Sequence, residues 1–194
     1  MTDLGANATA TGVAPWFPVA LKLGGRRCLV VGTGEEAHAR ARALTEAGAA
    51  VLEKTSFSPE DLDGVWLAVL ADRDAALAAR MDAECEARRI FFAAVDEPRF
   101  GSYSHLALAR AGHVVVAIGT NGEAPALARR LRELFEDLFA RSGLAAFAER
   151  HAALRRLTPP ERRRDVLGAD VRDVRLEGEL VVPGGDPKPD AERR

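Results

Sequence analysis

The feature that most constrains this chain is a pair of short runs in which every residue is apolar, Val65–Leu70 and Ile90–Val95. A strand with no polar face has to be covered on both sides, which is the condition of a parallel sheet with helices above and below it. Arg27–Val31 reads as a third strand, ending at Gly32. Helix-period segments follow. Glu35–Ala47 carries Ala37, Ala41 and Leu44 at spacings of four and three and meets a stop signal at Gly48, and Ala75–Arg88 carries Leu77, Met81 and Cys85. The alternation predicts an α/β fold with a Rossmann-like parallel sheet.

The pattern then changes. Tyr103–Ala109 and Val114–Gly119 read as two β-type stretches around the turn signal Arg110-Ala111-Gly112-His113. Pro125–Ala140 predicts a helix with proline at its first position and a Leu127, Leu131, Leu134, Leu138 stripe. Gly143 breaks it, a second helix runs over Leu144–Leu157, a shorter third starts at Thr158-Pro159-Pro160, and Val174–Val182 reads as extended. The expected organisation is a sheet domain over 15–112, a smaller α+β and helical region over 113–182, and disordered tails at 1–14 and 183–194.

Composition excludes several classes. At 194 residues and 47% hydrophobic content the chain can bury a real core. Its 27 basic and 29 acidic residues leave a net charge of -2, which gives no whole-chain reason to expect nucleic acid. No apolar run reaches the roughly 18 residues of a membrane span, and Met1–Ala14 lacks the basic start and apolar core of a secretory signal, so the expected location is cytoplasmic. Two cysteines make no disulfide framework. His38, His105, His113 and His151 include no pair at helical metal-binding spacing, so no dedicated metal site is expected. His105 and His113 flank the hairpin turn and read as surface residues before they read as ligands.

Gly32-Thr33-Gly34-Glu35-Glu36-Ala37 follows a strand and opens a helix, the context in which G-x-G-x-x-G/A has meaning. The first glycine makes the tight turn, the second admits a pyrophosphate to the backbone, and the small third residue lets helix and strand pack closely. The alternative is a strand-to-helix turn without a ligand. Glu35 and Glu36 suit the helix dipole but repel a pyrophosphate if they point inward. The acidic residue expected about 20 positions on, for a ribose hydroxyl, falls at Glu53. Asp96 closes a buried strand at the end where ligands of open α/β sheets bind; it reads equally as a general base and as a turn aspartate. Arg129, Arg130 and Arg132 read as a solvated helix face or as a clamp for a polycarboxylate.

The order of these elements is distinctive. Phe17-Pro18 precedes Lys22–Arg27 and Val31-Gly32-Thr33-Gly34; Ser58–Gly64 precedes Val65–Leu70; Arg88-Arg89-Ile90-Phe91 leads into Val95-Asp96-Glu97-Pro98; and Val114–Ile118 leads into Gly119-Thr120-Asn121-Gly122-Glu123-Ala124-Pro125. Over about residues 16–157 this resembles the precorrin-2 dehydrogenase / sirohydrochlorin ferrochelatase family, the N-terminal part of siroheme synthase. The resemblance implies an NAD-binding Rossmann domain, a dimerisation region and a helical C-terminal region. It implies NAD-dependent oxidation of precorrin-2 to sirohydrochlorin, followed in some members by insertion of ferrous iron, a substrate. It places the catalytic aspartate at Asp96, and the cofactor loop at Gly32, Thr33, Gly34, Glu35 and Glu36, with Ala71 and Asp72 beside it. Thr120 stands at a substrate-facing hydroxyl position, and Arg99, Arg110 and Arg129 are the candidate partners of the eight substrate carboxylates. A homodimer is implied, with neither nucleic acid nor membrane as partner. Relatives carry a full second strand and an excursion after the first helix; here Gly48-Ala49-Ala50 runs almost directly into the Val51–Gly64 segment, so the Rossmann half is shortened. Two other functions fit the same residues: a chelatase without dehydrogenase activity, and a non-catalytic tetrapyrrole carrier or scaffold.

Overall fold

The computed structural model describes residues 16–183; the two expected tails lie outside the described residues, residue 183 excepted. The elements are β1 (Arg27–Val31), α1 (Gly34–Glu46), β2 (Ala50–Lys54), β3 (Val65–Leu70), α2 (Ala75–Arg88), β4 (Phe91–Ala94), β5 (Ala107–Ala111), β6 (Val114–Ile118), α3 (Pro125–Ser142), α4 (Leu144–Leu157) and α5 (Arg163–Asp170). Strands β1 to β4 form one parallel sheet in the order β2-β1-β3-β4.

Strand geometry turns the apolar runs into a three-layer core, because successive side chains point to opposite faces. Leu29 and Val31 of β1, with Ala68 and Leu70 of β3, pack against Ala78, Met81 and Cys85 of α2. Cys28 and Val30, with Leu67 and Val69, pack on the other face against Ala37, Ala41 and Leu44 of α1. Burial pushes both thiols up, Cys85 to about 12, so these cysteines are packing residues.

The shortened segment still delivers a strand to the place beside β1. Residues Val51, Leu52, Glu53 and Lys54 of β2 lie in register with Cys28, Leu29, Val30 and Val31, and β2 ends the sheet. Glu53 therefore stands near the C-terminal end of the strand that neighbours the glycine turn.

Two expected strands differ. The first hairpin strand begins at Ala107 rather than Tyr103, because the backbone before it is committed to β4: Gly101 bridges Ala93, and the Ser102 N–H donates to the Phe92 carbonyl at 2.8 Å. Val174–Val182 forms no strand among the described residues and leaves Leu176, Val181 and Val182 exposed.

The chain divides into two compact units: residues up to 109 together with 116–137, and 110–115 together with 138 onward. The division runs through the β5–β6 pair, whose two-residue turn Gly112-His113 makes it a hairpin. In the second unit, His151 Nδ1 on α4 meets Asp170 Oδ2 of α5 at 2.7 Å. On α3 only Ala128 is fully buried; Leu127 and Leu134 are exposed. No helix of the described residues is long and apolar enough to cross a membrane.

Phe92 is the largest of the fully enclosed core side chains and belongs to the cluster beneath α2. Phe92→Ala is expected to cost about 3–5 kcal/mol, read as a lower urea midpoint with an unchanged slope; a loss below about 1 kcal/mol would mean that the α2 face is not close-packed.

Candidate functional site

The C-terminal ends of the strands come together at one edge of the sheet. The Gly32 N–H donates to Lys54 O at 2.9 Å, the Ala71 N–H to Val31 O at 2.8 Å and the Val95 N–H to Leu70 O at 2.9 Å. Strand order reverses at β1, so the crevice between the ends of β1 and β3 is the switch point where ligands of such sheets bind. Gly32 has φ +144, and a Cβ there would lie 2.9 Å from the Ala71 Cβ and 3.1 Å from the Asp72 backbone nitrogen. Only glycine lets the two strand ends approach this closely.

Gly34 differs: it has φ +74, and a Cβ would meet nothing within 4 Å. The space over the start of α1 is open, and the first-turn N–H groups of a helix have no intrahelical acceptor. Such a cradle suits a phosphate. The two glutamates of this turn are drawn back along the helix, Glu35 to Arg42 and Glu36 to Arg40, each at 2.6 Å. The Arg42 hydrogen bond and charge hold Glu35 below the usual carboxylate range.

Asp72 closes the other side of the crevice. Its Oδ1 accepts from the Thr33 backbone N–H at 2.8 Å and from the Thr33 hydroxyl at 3.4 Å. The glycine turn is thereby pinned to the loop after β3. Glu53 is held by His38 Nδ1 at 3.1 Å, both side chains being exposed.

Asp96 follows β4 in the left-handed region, with φ +59, a conformation aspartate tolerates better than most residues. Its Oδ2 accepts from Arg73 Nε at 2.7 Å and also meets Arg73 Nη2. Asp96 Oδ1 has no hydrogen-bond partner among the described residues. On the same turn Arg99 pairs with Glu97 at 3.2 Å and lies over Phe100.

A cavity of about 520 Å³ opens beside this turn, within the first compact unit. Arg40, His105, Thr120, Arg129 and Arg132 line it, and no acidic residue does. The loop at its rim approaches the Asp96 turn: a Cβ on Gly122 would sit 3.9 Å from the Pro98 Cβ. The Thr120 hydroxyl accepts from the Ala124 N–H at 3.2 Å and so steadies the start of α3. His105, exposed, lends its ring to the cavity wall, and desolvation by its neighbours, then the Arg40 charge, lowers its imidazole to about 4. Tyr103 packs edge-on against it, and burial pushes its phenol well above the usual range.

Of the residues singled out from the sequence, Gly32, Thr33, Gly34, Glu35, Glu36, Ala71 and Asp72 converge on one crevice. Thr120 and Arg129 share the cavity, Arg99 lies on the Asp96 turn, and Arg110 is an exposed residue of β5. Three roles are not readable from the sequence. Arg73 is a cation one strand away from Asp96, and no spacing rule connects them. Arg40 sits on α1 beside the core positions, which is the one signal available for it. His105 is exposed, as the sequence reading has it, and its place in the cavity wall is what the sequence does not show. Among the described residues no three metal-ligating side chains gather.

The chain is similar to several known proteins. A protein family described as "Putative NAD(P)-binding" matches residues 19–52 and 51–107. Siroheme synthase of Citrobacter koseri is 34% identical over 143 residues, covering 63% of this chain and 31% of that protein. Siroheme synthase of Escherichia coli O139:H28 gives the same figures. The chain thus spans about a third of the length of these relatives. Among solved structures, SirC, a precorrin-2 dehydrogenase, superposes with a TM-score of 0.64 at 21% identity, covering 81% of this chain and 90% of the other, which is likeness of fold.

Asp72→Ala removes the charged acceptor of the Thr33 amide. Hydrogen exchange at Thr33 is expected to speed up about tenfold or more, the loss of one charge-assisted hydrogen bond, while Asp72→Asn keeps most of the protection. Unchanged exchange in Asp72→Ala would show that the turn holds itself.

Proposed function

We propose that this chain belongs to the precorrin-2 dehydrogenase / sirohydrochlorin ferrochelatase family and oxidises precorrin-2 to sirohydrochlorin with NAD as the oxidant. The observation that carries the reading is the meeting, at one end of the sheet, of an open glycine turn and an aspartate with one oxygen free among the described residues. The residues fit the cofactor: Gly34 leaves room over the first helical turn, and the nearby glutamates are neutralised by Arg40 and Arg42. On the turn built by Gly32 and Thr33, the backbone N–H groups of Gly34, Glu35 and Glu36 would hold its pyrophosphate, with Ala71 and Asp72 forming the opposite wall. When bound, NAD supplies the hydride acceptor.

The protein's own part is orientation and proton transfer. Oxidation removes a hydride and a proton from the tetrapyrrole, and Asp96 Oδ1 takes the proton while Arg73 fixes the carboxylate through Oδ2. The substrate's carboxylates need cationic and hydroxyl partners: Arg129 and Thr120 offer them in the cavity and Arg99 on the Asp96 turn. A homodimer is part of the proposal, supported by exposed Leu127 and Leu134 on α3. Insertion of ferrous iron, as a substrate, would use the same aspartate, because pyrrole N–H protons must leave as the metal enters.

Two variants separate these steps. Asp96→Asn keeps shape and loses the base, so turnover of precorrin-2 is expected to fall about 10²–10⁴-fold in a folded protein; a loss of only a few-fold removes Asp96 from the mechanism. Gly34→Val fills the cradle. NAD binding by calorimetry is expected to weaken at least about tenfold, with metal insertion into supplied sirohydrochlorin changed less than threefold. Equal NAD affinity in Gly34→Val and wild type would leave the glycine turn without a cofactor role.

A further inference from the structure

The sheet ends at β2, and the outer side of that strand has no neighbour among the described strands. The Ala50 N–H donates to Arg26 O, and Lys54 O accepts from the Gly32 N–H, both at 2.9 Å. Backbone groups of successive strand residues point to opposite sides, so Ala50, Leu52 and Lys54 face β1. The amides and carbonyls of Val51 and Glu53 therefore face away from it. An edge of this kind is a template for a further strand. Beside it a cavity of about 410 Å³ runs along α1, lined by His38, Ala41, Arg42, Thr45, Glu46 and Glu53. The family match points to the same place. Its two stretches both include residues 51 and 52, so β2 answers to two separate places in the family's pattern. The shortening of this chain falls at its open edge.

Val174–Val182 has the converse problem. Val174, Leu176, Leu180 and Val182 alternate with Arg175, Glu177, Glu179 and Val181, the pattern of a strand. Yet the segment joins no sheet among the described residues. Val174, Leu176, Leu180, Val181 and Val182 are each more than half exposed, which forgoes the main favourable contribution to folding. Gly178, at φ +133, divides the segment into two runs, Val174–Glu177 and Glu179–Val182, each long enough to lie along Val51–Lys54. Both partners carry both signs of charge: Arg175, Glu177 and Glu179 on the segment, and Arg42, Lys54, Glu46 and Glu53 at the edge. Opposite charges can therefore be paired across the contact in a preferred register.

We propose that the outer edge of β2 is a docking site for Val174–Val182 of a second copy of this chain, added to the sheet beside β2. Within one chain β2 pairs with β1 alone, so the added strand comes from another copy. Exchange satisfies both needs at once. Each copy lends its segment to the other, and two equal contacts close the pair instead of extending it. Main-chain hydrogen bonds to Val51 and Glu53 give the affinity, and the alternate side chains of the segment set the register. The inference shares the homodimer with the proposed function and needs none of its chemistry.

The test is hydrogen exchange on the full chain, read peptide by peptide. Residues 174–182 are expected to exchange at least about tenfold more slowly than a synthetic peptide of the same sequence. Val51→Pro removes an amide that faces away from β1, so the sheet keeps its ladder and the segment is expected to lose that protection. If Val51→Pro does not fold, Glu53→Pro removes the other outward amide and takes its place. A chain carrying both Leu176→Asp and Leu180→Asp is expected to lose the protection from the donor's side. Refolding this chain together with Val51→Pro identifies the source of the strand. The Val51→Pro chain brings an intact segment and the other an intact edge, so protection is expected to return on the segment of the Val51→Pro chain. A wild-type segment that exchanges as fast as the peptide overturns the proposal. Protection that survives Val51→Pro overturns β2 as the acceptor. Protection lost in Val51→Pro and not restored in the mixture overturns the second copy as the donor. None of these readouts depends on turnover, so failure to oxidise precorrin-2 overturns the catalytic reading and leaves the docking site standing.

Discussion

The two-faced burial of β1 and β3 is the constraint on which the rest of this structure depends. Because neighbouring residues along a strand point opposite ways, Leu29 and Val31 commit one face to α2, and Cys28 and Val30 commit the other to α1. A one-residue slip would exchange the two sets and leave neither helix with its fitted partners. That rigidity brings Gly32, Ala71 and Val95 to one edge, where their amides donate to the strands beside them. The functional groups therefore hang from the best-determined part of the fold.

At that edge the protein uses charge to set geometry. Asp72 pins the glycine turn, Arg73 pins Asp96, and Glu35 and Glu36 are turned along α1 by Arg42 and Arg40. The last pair matters most for an anionic ligand, since a carboxylate at the mouth of the helix would oppose the dipole that attracts it. Arg40 thus serves two purposes, neutralising Glu36 and lining the cavity.

Much of this is legible in the sequence. Uninterrupted apolar runs announce the parallel sheet, and the spacing of Ala37, Ala41 and Leu44 marks the face of α1 that is buried. The glycine turn and Asp96 are recognisable because strand ends punctuated by Gly and Asp-x-Pro are local signals. Pairings across strands are not. Arg73 and Asp96 are 23 residues apart, and Thr33 and Asp72 are 39 apart. Only the strand order brings them together. His105 reads as a surface residue and is exposed; that it shares a cavity with arginines of α1 and α3 is set by the tertiary fold and has no local pattern. Likewise the start of β5 depends on how residues 101–103 attach to Phe92, a contact the local pattern does not encode.

The central claim is that this chain moves a hydride from a tetrapyrrole to NAD. The most direct measurement is an anaerobic reaction of the purified chain with precorrin-2 and NAD, following NADH and sirohydrochlorin by their absorbance. The account predicts that the two rise together in equal amounts. Sirohydrochlorin formed at the uncatalysed rate with no NADH, or enzyme-dependent consumption of the tetrapyrrole that needs no NAD, would contradict it.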